Sequence, residues 1–526
     1  MATWYFDNPI LPTSGVHFEA KPLWGVDFFY TASIVNALRD NIVFPPAGWG
    51  YQWFTGWPLL SNYPILHYYL ILPFTYFFDL ISAVKLWMLV SLGLFFIGFY
   101  ATFSLLSRNV VFASLLTIAS IYSVGVYGTL MWGGSLPSHA TQAFLPWVVF
   151  FILLYLKKQK TSYVLLSSVL AGFAIWGHPQ IVIAYIYPFI VTLLIFSFWG
   201  IPLLSRIKAL LVFVAISFLI GLPLLYTSMD GALKVLVVTN STEVASSTAR
   251  VPSQLADEVT AFHRAQPARM YDDTNTTIYV SLSVAAFFFL IVFLFKRQRK
   301  LLLSVLPFLV LALYSTIYIW IFSYGISILH GGWYRLFWAV PFWIGMFAAS
   351  LWGNAQMSLK QPLGRLFIPS LLLGSFLILI VGSFSFLSFS KETKEKIIPR
   401  SNPSSAFPDV LNLRDDVSGF ERLKKEMVPV WLDPFQTNYR LYSADQTINI
   451  WWNALYKMPL ARGYLDPPFP DRGFLFWLDA ALSQDTGSGE DQLVGSFNYP
   501  PDIALNNTLF LIDWYGIKYF EAVLLW

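Results

Sequence analysis

The chain has 526 residues, of which 56% are hydrophobic and 12% are charged, and its formal net charge is +4 at pH 7. Soluble globular domains carry about 25% charged residues. This composition, with a mean hydropathy of +0.59, therefore excludes an ordinary soluble domain and predicts a polytopic membrane protein. The small net charge predicts no nucleic-acid partner. Cysteine is absent from the sequence, which excludes disulfides, thiolate nucleophiles and cysteine-based metal sites.

The first 80 residues precede the first long apolar run. They include the stretch GVDFFYTASIVNALRDN (residues 25–41), in which Asp27 stands ahead of a helical pattern. The apolar stretch YPILHYYLILPFTYFF (63–78) is short for a span and contains Pro64 and Pro73. We therefore expect it to lie on or dip into the outer membrane face. The alternative, that it crosses the membrane, would put Asp27 in the cytoplasm.

The middle of the chain is a succession of apolar runs. A helix needs roughly 20 mostly apolar residues to cross a bilayer, and about ten runs approach that length. They cover residues 81–107, 109–131, 142–157, 161–177, 178–199, 206–228, 277–295, 301–328, 335–353 and 366–388. The sequence thus predicts a polytopic α-helical bundle of about ten spans over residues 81–388.

Basic residues indicate which side of the membrane each loop occupies. They fall in alternate short loops, at Arg108, KKQK (157–160), RIK (206–208), KRQRK (296–300), and Lys360 with Arg365. The positive-inside rule makes those loops cytoplasmic. Residues 1–80, the turn GHPQ (177–180), HGGWYR (330–335) and everything after about 389 are then expected outside.

Residues 389–526 differ in character from the apolar runs. A charged stretch rich in Pro and Ser is followed by strand-like runs, YRLYSADQTINIWW (439–452) and WYGIKYFEAVLLW (514–526). Turn-forming sequences such as DTGSGED separate the runs. We expect a mixed α/β domain on the outer face, large enough for a core of its own. The predicted organisation is an outer-face loop (1–80), a membrane bundle (81–388) and an extracytoplasmic domain (389–526).

Polar side chains gather where the predicted spans end on the outer side. They are Asp27, His67, His139, His178, Gln180, His330, Tyr334 and Arg335. The spans themselves are nearly free of charge, which argues against ion transport because intramembrane charges usually mark ion and proton pathways. It does not argue against the movement of lipids.

Several of these residues also fit purely structural roles. Asp27 fits the start of a helix, where the dipole favours a carboxylate. His178 precedes a proline at a tight turn, and Arg335 fits a helix-end anchor whose guanidinium reaches the interface. His67 and His139 are isolated. The sequence contains no metal-binding spacing such as H-E-x-x-H, no Gly-rich phosphate loop and no G-x-S-x-G motif.

Taken together, these groups suit chemistry on a lipid-linked sugar. A carboxylate accepts a proton from an attacking hydroxyl. The forked donors of an arginine bind a phosphate or pyrophosphate, and histidine adds charge or a hydrogen bond. Aromatic walls suit both a sugar face and an isoprenoid tail.

Several stretches resemble a known family. GVDFFYTASIVNALRDN and the later GWPLLSNYPILHYYLILPF are similar to the first outer loop of class C (GT-C fold) integral membrane glycosyltransferases. WYRLFW (333–338) and YGIKYFEAVLLW (515–526) are closest to the YfhO-like proteins and to membrane proteins labelled 6-pyruvoyl-tetrahydropterin synthase-related. No motif for pterin chemistry accompanies them, and the family's first transmembrane helix is absent from this sequence.

The resemblance implies an inverting transfer by single displacement from a polyprenyl-phosphate sugar donor to a hydroxyl of a glycan, lipid or protein. Asp27 would be the catalytic base. The substrate and its lipid phosphate would be bound by Arg335, His178, Gln180, His139, Tyr334, His330 and His67. The loop lacks a second adjacent acid, so no metal cofactor is expected and a divalent ion is unsupported.

Two other functions remain open alongside the transferase. A lipid or glycan transporter, or flippase, would need a polar path through the bundle, and its transport would survive loss of the Asp27 carboxylate. A non-catalytic membrane scaffold or glycan-binding protein would act through residues 389–526. In each case we expect a multi-pass protein of the cell membrane, in contact with membrane lipids, whose C-terminal domain is extracytoplasmic.

Overall fold

The structure is a computed structural model that describes part of the chain. The described residues are 26–40, 49–53, 57–58, 65–121, 136–196, 200–240, 306–308, 310–311, 314, 339–358, 423, 428–443, 446–461, 509–510 and 512–521. They fall into two compact units. The first takes its residues from Met1–Trp87, Pro223–Ala256 and Glu395–Trp526, and the second from Met88–Leu222 and Asp257–Lys394.

Helices dominate the described residues. In chain order they are α1 (Val26–Asp40), α2 (Leu66–Ile71), α3 (Leu80–Ser107), α4 (Val110–Ile121), α5 (Leu136–Gln142), α6 (Phe144–Lys158), α7 (Thr161–Gly177), α8 (Tyr187–Phe196), α9 (Leu203–Asn240), α10 (Ala339–Ser358) and α11 (Gln446–Leu455). Four short strands accompany them: β1 (Trp49–Gly50), β2 (Trp57–Pro58), β3 (Arg440–Ser443) and β4 (Ile517–Glu521). β1 pairs antiparallel with β2, and β3 pairs parallel with β4.

Three helices are long and apolar enough to cross a membrane: Leu80–Ser107, Ala140–Lys158 and Leu203–Leu225. They confirm three of the predicted runs and support a helical membrane protein. The predicted run 161–177 is also a helix, although a shorter one. Runs 277–295 and 366–388 lie outside the described residues, so the prediction of about ten spans stays a prediction.

The stretch before the first long helix is too short to cross a bilayer. It forms the six-residue helix α2 followed by a five-residue 3₁₀ turn, Leu72–Tyr76. At about 1.5 Å per residue such a segment covers well under the roughly 30 Å of the hydrocarbon core. Tyr76, Phe77 and Phe78 are exposed where α3 is about to begin. Residues 65–78 therefore do not form a helix long enough to span the membrane, and the position of Asp27 on the outer side stays a prediction.

Basic residues lie at three helix ends. Arg108 follows α3, and α6 ends at Lys157 and Lys158. The buried Arg206 near the start of α9 donates from Nη1 to the carbonyl oxygens of Leu194 (2.9 Å) and Ile195 (2.8 Å). These carbonyls belong to the last turn of α8, where helix groups lack intrahelical partners and a cation is favoured.

In the second unit the helices approach closely at small residues. A Cβ on Gly172 of α7 would meet Ile220 Cβ at 2.7 Å, and a Cβ on Gly221 of α9 would meet Ile175 Cδ1 at 2.5 Å. Trp176 Nε1 donates to the Ile220 carbonyl at 2.7 Å in the same contact. Small residues combined with polar side-chain hydrogen bonds are the usual means of packing helices in lipid.

In the first unit, segments from the N-terminal and C-terminal parts of the sequence contact each other. The Leu460 N–H donates to the Gln52 carbonyl (2.8 Å), and Trp53 and Leu441 both bridge to Leu460. The core contains the fully buried rings of Trp53, Tyr68, Trp451 and Trp452. N-terminal and C-terminal residues therefore share one hydrophobic core.

One sequence-based expectation here is confirmed only in part. The stretch 439–452 was expected to be strand-like, but β3 ends at Ser443 and α11 begins at Gln446. Ile448, Trp451 and Trp452 are buried, at the three- and four-residue spacing of a helix face. β-branched and aromatic residues favour strands locally, but burial of this helical face overrides that preference.

Candidate functional site

Asp27 is the second residue of helix α1, which begins at Val26. The N-terminal end of a helix carries a partial positive charge, which favours the ionised form of a carboxylate. The side chain of Asp27 lies outside the part of the chain that the structure describes. Its position on the backbone agrees with a structural role at the start of the helix. The same position is compatible with a role as general base, because an ionised carboxylate is the form that accepts a proton.

Helix α1 is held by the C-terminal residues of the first unit. Asn36 Nδ2 donates to the backbone oxygen of Asn453 in α11 at 2.9 Å. The end of α11 is itself held, since Trp452 Nε1 (2.9 Å) and Asn453 Nδ2 (3.1 Å) both donate to the Met458 carbonyl. The helix bearing Asp27 is thus fastened to residues more than 400 positions further along the chain.

His67 is fully buried in α2. Its ring centroid lies 6.1 Å from that of Trp87 near the start of α3, and Phe74 lies 6.3 Å from the same indole. Burial also raises the pKa of the neighbouring Tyr69 to about 12. The described contacts of His67 are those of a core histidine that packs α2 against α3.

Lys85 was missed by the sequence reasoning. It lies in the second turn of α3, within a candidate span, and is only 1% exposed. Asp79 directly precedes the same helix, and its Oδ1 accepts the Ser82 N–H at 3.0 Å. An isolated lysine inside an apolar run was the available signal, because intramembrane charges are rare and tend to be functional.

His178 is the single non-helical residue between α7 and the short helix Pro179–Ile181. Its backbone is extended (φ −169°, ψ 94°), its N–H donates to Ala174 O (2.8 Å), and its carbonyl accepts the Ile181 N–H (3.1 Å). Its side chain is half-buried. Pro179 explains the break, because the residue before a proline is disfavoured in the helical conformation.

Three predicted site residues come from neighbouring elements of the second unit. α5, which contains His139, packs against α7 and against the helix Pro179–Ile181, which contains Gln180 and follows His178. The side chains of His139 and Gln180 lie outside the described part. Asp27 and His67 belong to the first unit.

The remaining predicted residues, His330, Tyr334 and Arg335, lie outside the described residues, and their roles stay predictions. Within the described ranges, no three His, Asp or Glu side chains are grouped so that they could hold a metal ion.

Comparisons with known proteins give a limited likeness. No family model and no curated protein matches the chain. Among solved structures it is similar to the apo oligosaccharyltransferase of Archaeoglobus fulgidus, with a TM-score of 0.49 and 12% identity over 96% of this chain and 66% of that one. The same archaeal enzyme, AglB, in complex with an inhibitory peptide and a dolichol-phosphate, matches with a TM-score of 0.43 and 12% identity over 98% of this chain and 67% of that one.

This chain therefore spans about two thirds of the length of the enzyme it matches, 66% in the apo form. With TM-scores below 0.5 at 12% identity, the likeness does not establish a shared fold or activity.

Proposed function

We propose that this chain is a GT-C-type integral membrane glycosyltransferase. It moves a sugar from a polyprenyl-phosphate-linked donor to a hydroxyl acceptor at the outer membrane face. The resemblance of residues 25–41 to the first outer loop of that class suggests the reaction. The closing stretch, residues 515–526, suggests the YfhO-like group within the class.

One structural observation carries the proposal. Asp27 is the second residue of α1, which packs against α2 and the 3₁₀ turn that lead into α3, the first long apolar helix. No described helix between Asp27 and α3 is long enough to cross a membrane. This supports an acid held next to the end of a membrane helix, where a lipid-linked substrate presents its head group.

The proposed sidedness follows from charge. Arg108 and the basic run 157–160 follow the ends of α3 and α6, which makes those ends cytoplasmic by the positive-inside rule. The start of α3, and Asp27 with it, then lies outside. The exposed rings of Tyr76, Phe77 and Phe78 suit the interfacial belt where aromatic side chains meet lipid head groups. The full set of about ten spans and the extracytoplasmic domain 389–526 belong to the same proposal.

The proposed reaction is a single displacement. The acceptor oxygen forms a bond to the anomeric carbon while the bond from that carbon to the carrier phosphate oxygen breaks. Asp27 takes the proton of the acceptor hydroxyl, and the electron pair of the broken bond leaves on the phosphate. Arg335 and His178 stabilise the developing phosphate charge, and loss of one such donor typically costs about 10²–10³ in rate. Gln180, His139, Tyr334 and His330 would bind or shape the donor site.

The test is Asp27→Asn in the full chain in proteoliposomes. The probes are a radiolabelled hexosyl polyprenyl phosphate and membranes of the source cell as acceptor. We expect transfer to fall by at least the 10²–10⁴ that general base catalysis contributes. Asp40→Asn, the same change at the opposite end of α1, is the matched control and should leave transfer unchanged.

Two outcomes would contradict the proposal. Near-full transfer by Asp27→Asn would exclude Asp27 as the base. The second outcome combines two results. The unsubstituted chain transfers no sugar, and both it and Asp27→Asn move a fluorescent polyprenyl phosphate between leaflets. This outcome would favour the transporter.

A further inference from the structure

The middle of helix α1 is buried on all sides. The five consecutive side chains of Thr31, Ala32, Ser33, Ile34 and Val35 are each at most 1% exposed. Successive residues on a helix point about 100° apart, so five in a row face every direction. A surface helix buries only one stripe. The orientation of α1 is therefore set by the elements that pack around this middle part.

The C-terminal helix α11 is one of those neighbours, and it contacts α1 through a specific hydrogen bond. The last carbonyls of a helix have no partner within the helix. In α11 the Asn453 carbonyl, two residues before the helix ends at Leu455, accepts Asn36 Nδ2 at 2.9 Å. The Asn36 side chain thus satisfies a carbonyl in the last turn of α11 and links α1 to α11 by a hydrogen bond.

We propose that α11, acting through Asn36, positions Asp27 for proton transfer. The inference rests on the proposed role of Asp27 as base. Asn36 is nine residues from Asp27, or about 13 Å along the helix. A tilt of about 5° about Asn36 moves the start of α1 by about 1 Å, and a misplacement of that size can cost about 10² in rate. The C-terminal segment thus sets the geometry of an acid that lies more than 400 residues away in sequence.

The test is Asn36→Ala, measured with and without Asp27→Asn in the same proteoliposome assay. We expect Asn36→Ala to lower kcat by about 10- to 100-fold and to leave KM for the hexosyl polyprenyl phosphate unchanged. In the Asp27→Asn background it should cause no further loss, because a positioning residue acts only through the group it positions. Arg39→Ala, at an exposed position of the same helix, is the control and should keep the original kcat.

A general structural role for Asn36 would give a different result. Equal losses from Asn36→Ala in both backgrounds, or no loss in either, would overturn the positioning role. If Asn36→Ala does not fold, Asn36→Leu is measured in the same way, since it keeps the size of the side chain and removes the donor to the Asn453 carbonyl. If Asp27→Asn alone keeps its turnover, the base assignment fails as well. If Asp27→Asn abolishes turnover and Asn36→Ala is silent, only the positioning role fails.

Discussion

Asn36 donates a hydrogen bond of 2.9 Å to the backbone oxygen of Asn453, a residue 417 positions later in the chain. Both residues are buried, and a buried hydrogen bond in a shared core requires both segments to fold in the same compartment. We therefore expect Asn36 and α11 to lie on one side of the membrane. The sidedness of Asp27 can be read from whichever of the two segments is easier to label.

The first prediction concerns this sidedness. Because the chain contains no cysteine, single cysteines at the exposed positions Arg39, Trp431 and Lys160 can be labelled one at a time with a membrane-impermeant maleimide. We expect Arg39→Cys and Trp431→Cys to react in intact cells, and Lys160→Cys only after permeabilisation. Labelling of Arg39→Cys and Trp431→Cys from opposite sides would contradict the shared unit.

The second prediction concerns the stability of that unit. Trp452 is buried and donates a hydrogen bond to the Met458 carbonyl. Trp452→Ala should lower the free energy of unfolding by about 3–5 kcal/mol, the usual cost of removing a buried tryptophan. Trp431, 73% exposed in the same unit, is the matched control, and its replacement by alanine should change stability by no more than about 0.5 kcal/mol. The stability of both variants is measured by thermal unfolding in detergent, with cleavage of α11 by a protease as the readout of unfolding.

The third prediction concerns the contact between α7 and α9. A methyl group on Gly221 would clash with Ile175, whereas Gly93 in α3 has no heavy atom within 4 Å of an added Cβ. Gly221→Ala should destabilise the second unit by about 1–3 kcal/mol through overpacking. Gly93→Ala should leave stability unchanged or raise it, because alanine is the better helix former. Equal thermal unfolding temperatures for the two variants would mean that α7 and α9 do not approach this closely.

The fourth prediction concerns alkaline pH. Burial raises the pKa of Tyr69 to about 12, against an ordinary value of about 10. The neutral phenol therefore contributes stability that is fully present below about pH 10 and is lost as pH rises towards 12. Tyr69→Phe should show a smaller loss of stability over that interval, measured by thermal unfolding at stepped pH. Tyr51→Phe, at a position 63% exposed, is the control, and a profile identical to that of Tyr69→Phe would contradict the assignment.

The sequence predicted the features that depend on local composition. An apolar run of about 20 residues must form a helix in lipid, since its backbone groups can find partners only within the segment. For this reason the helices Leu80–Ser107 and Leu203–Leu225 agree with the predicted runs, and basic residues lie at the helix ends. The position of Asp27 at the start of a helix follows from the same local pattern.

Only the tertiary structure decided the rest. Residues 446–452 have strand-forming side chains, but they form part of α11 because that helix buries two tryptophans. Burial of His67 and of Lys85 depends on which elements pack against them, and a single-sequence pattern does not contain that information. The bond from Asn36 to Asn453 joins residues at opposite ends of the chain. Local sequence determined which segments are helical, but the long-range packing that fixes the helix bearing Asp27 exists only in the folded chain.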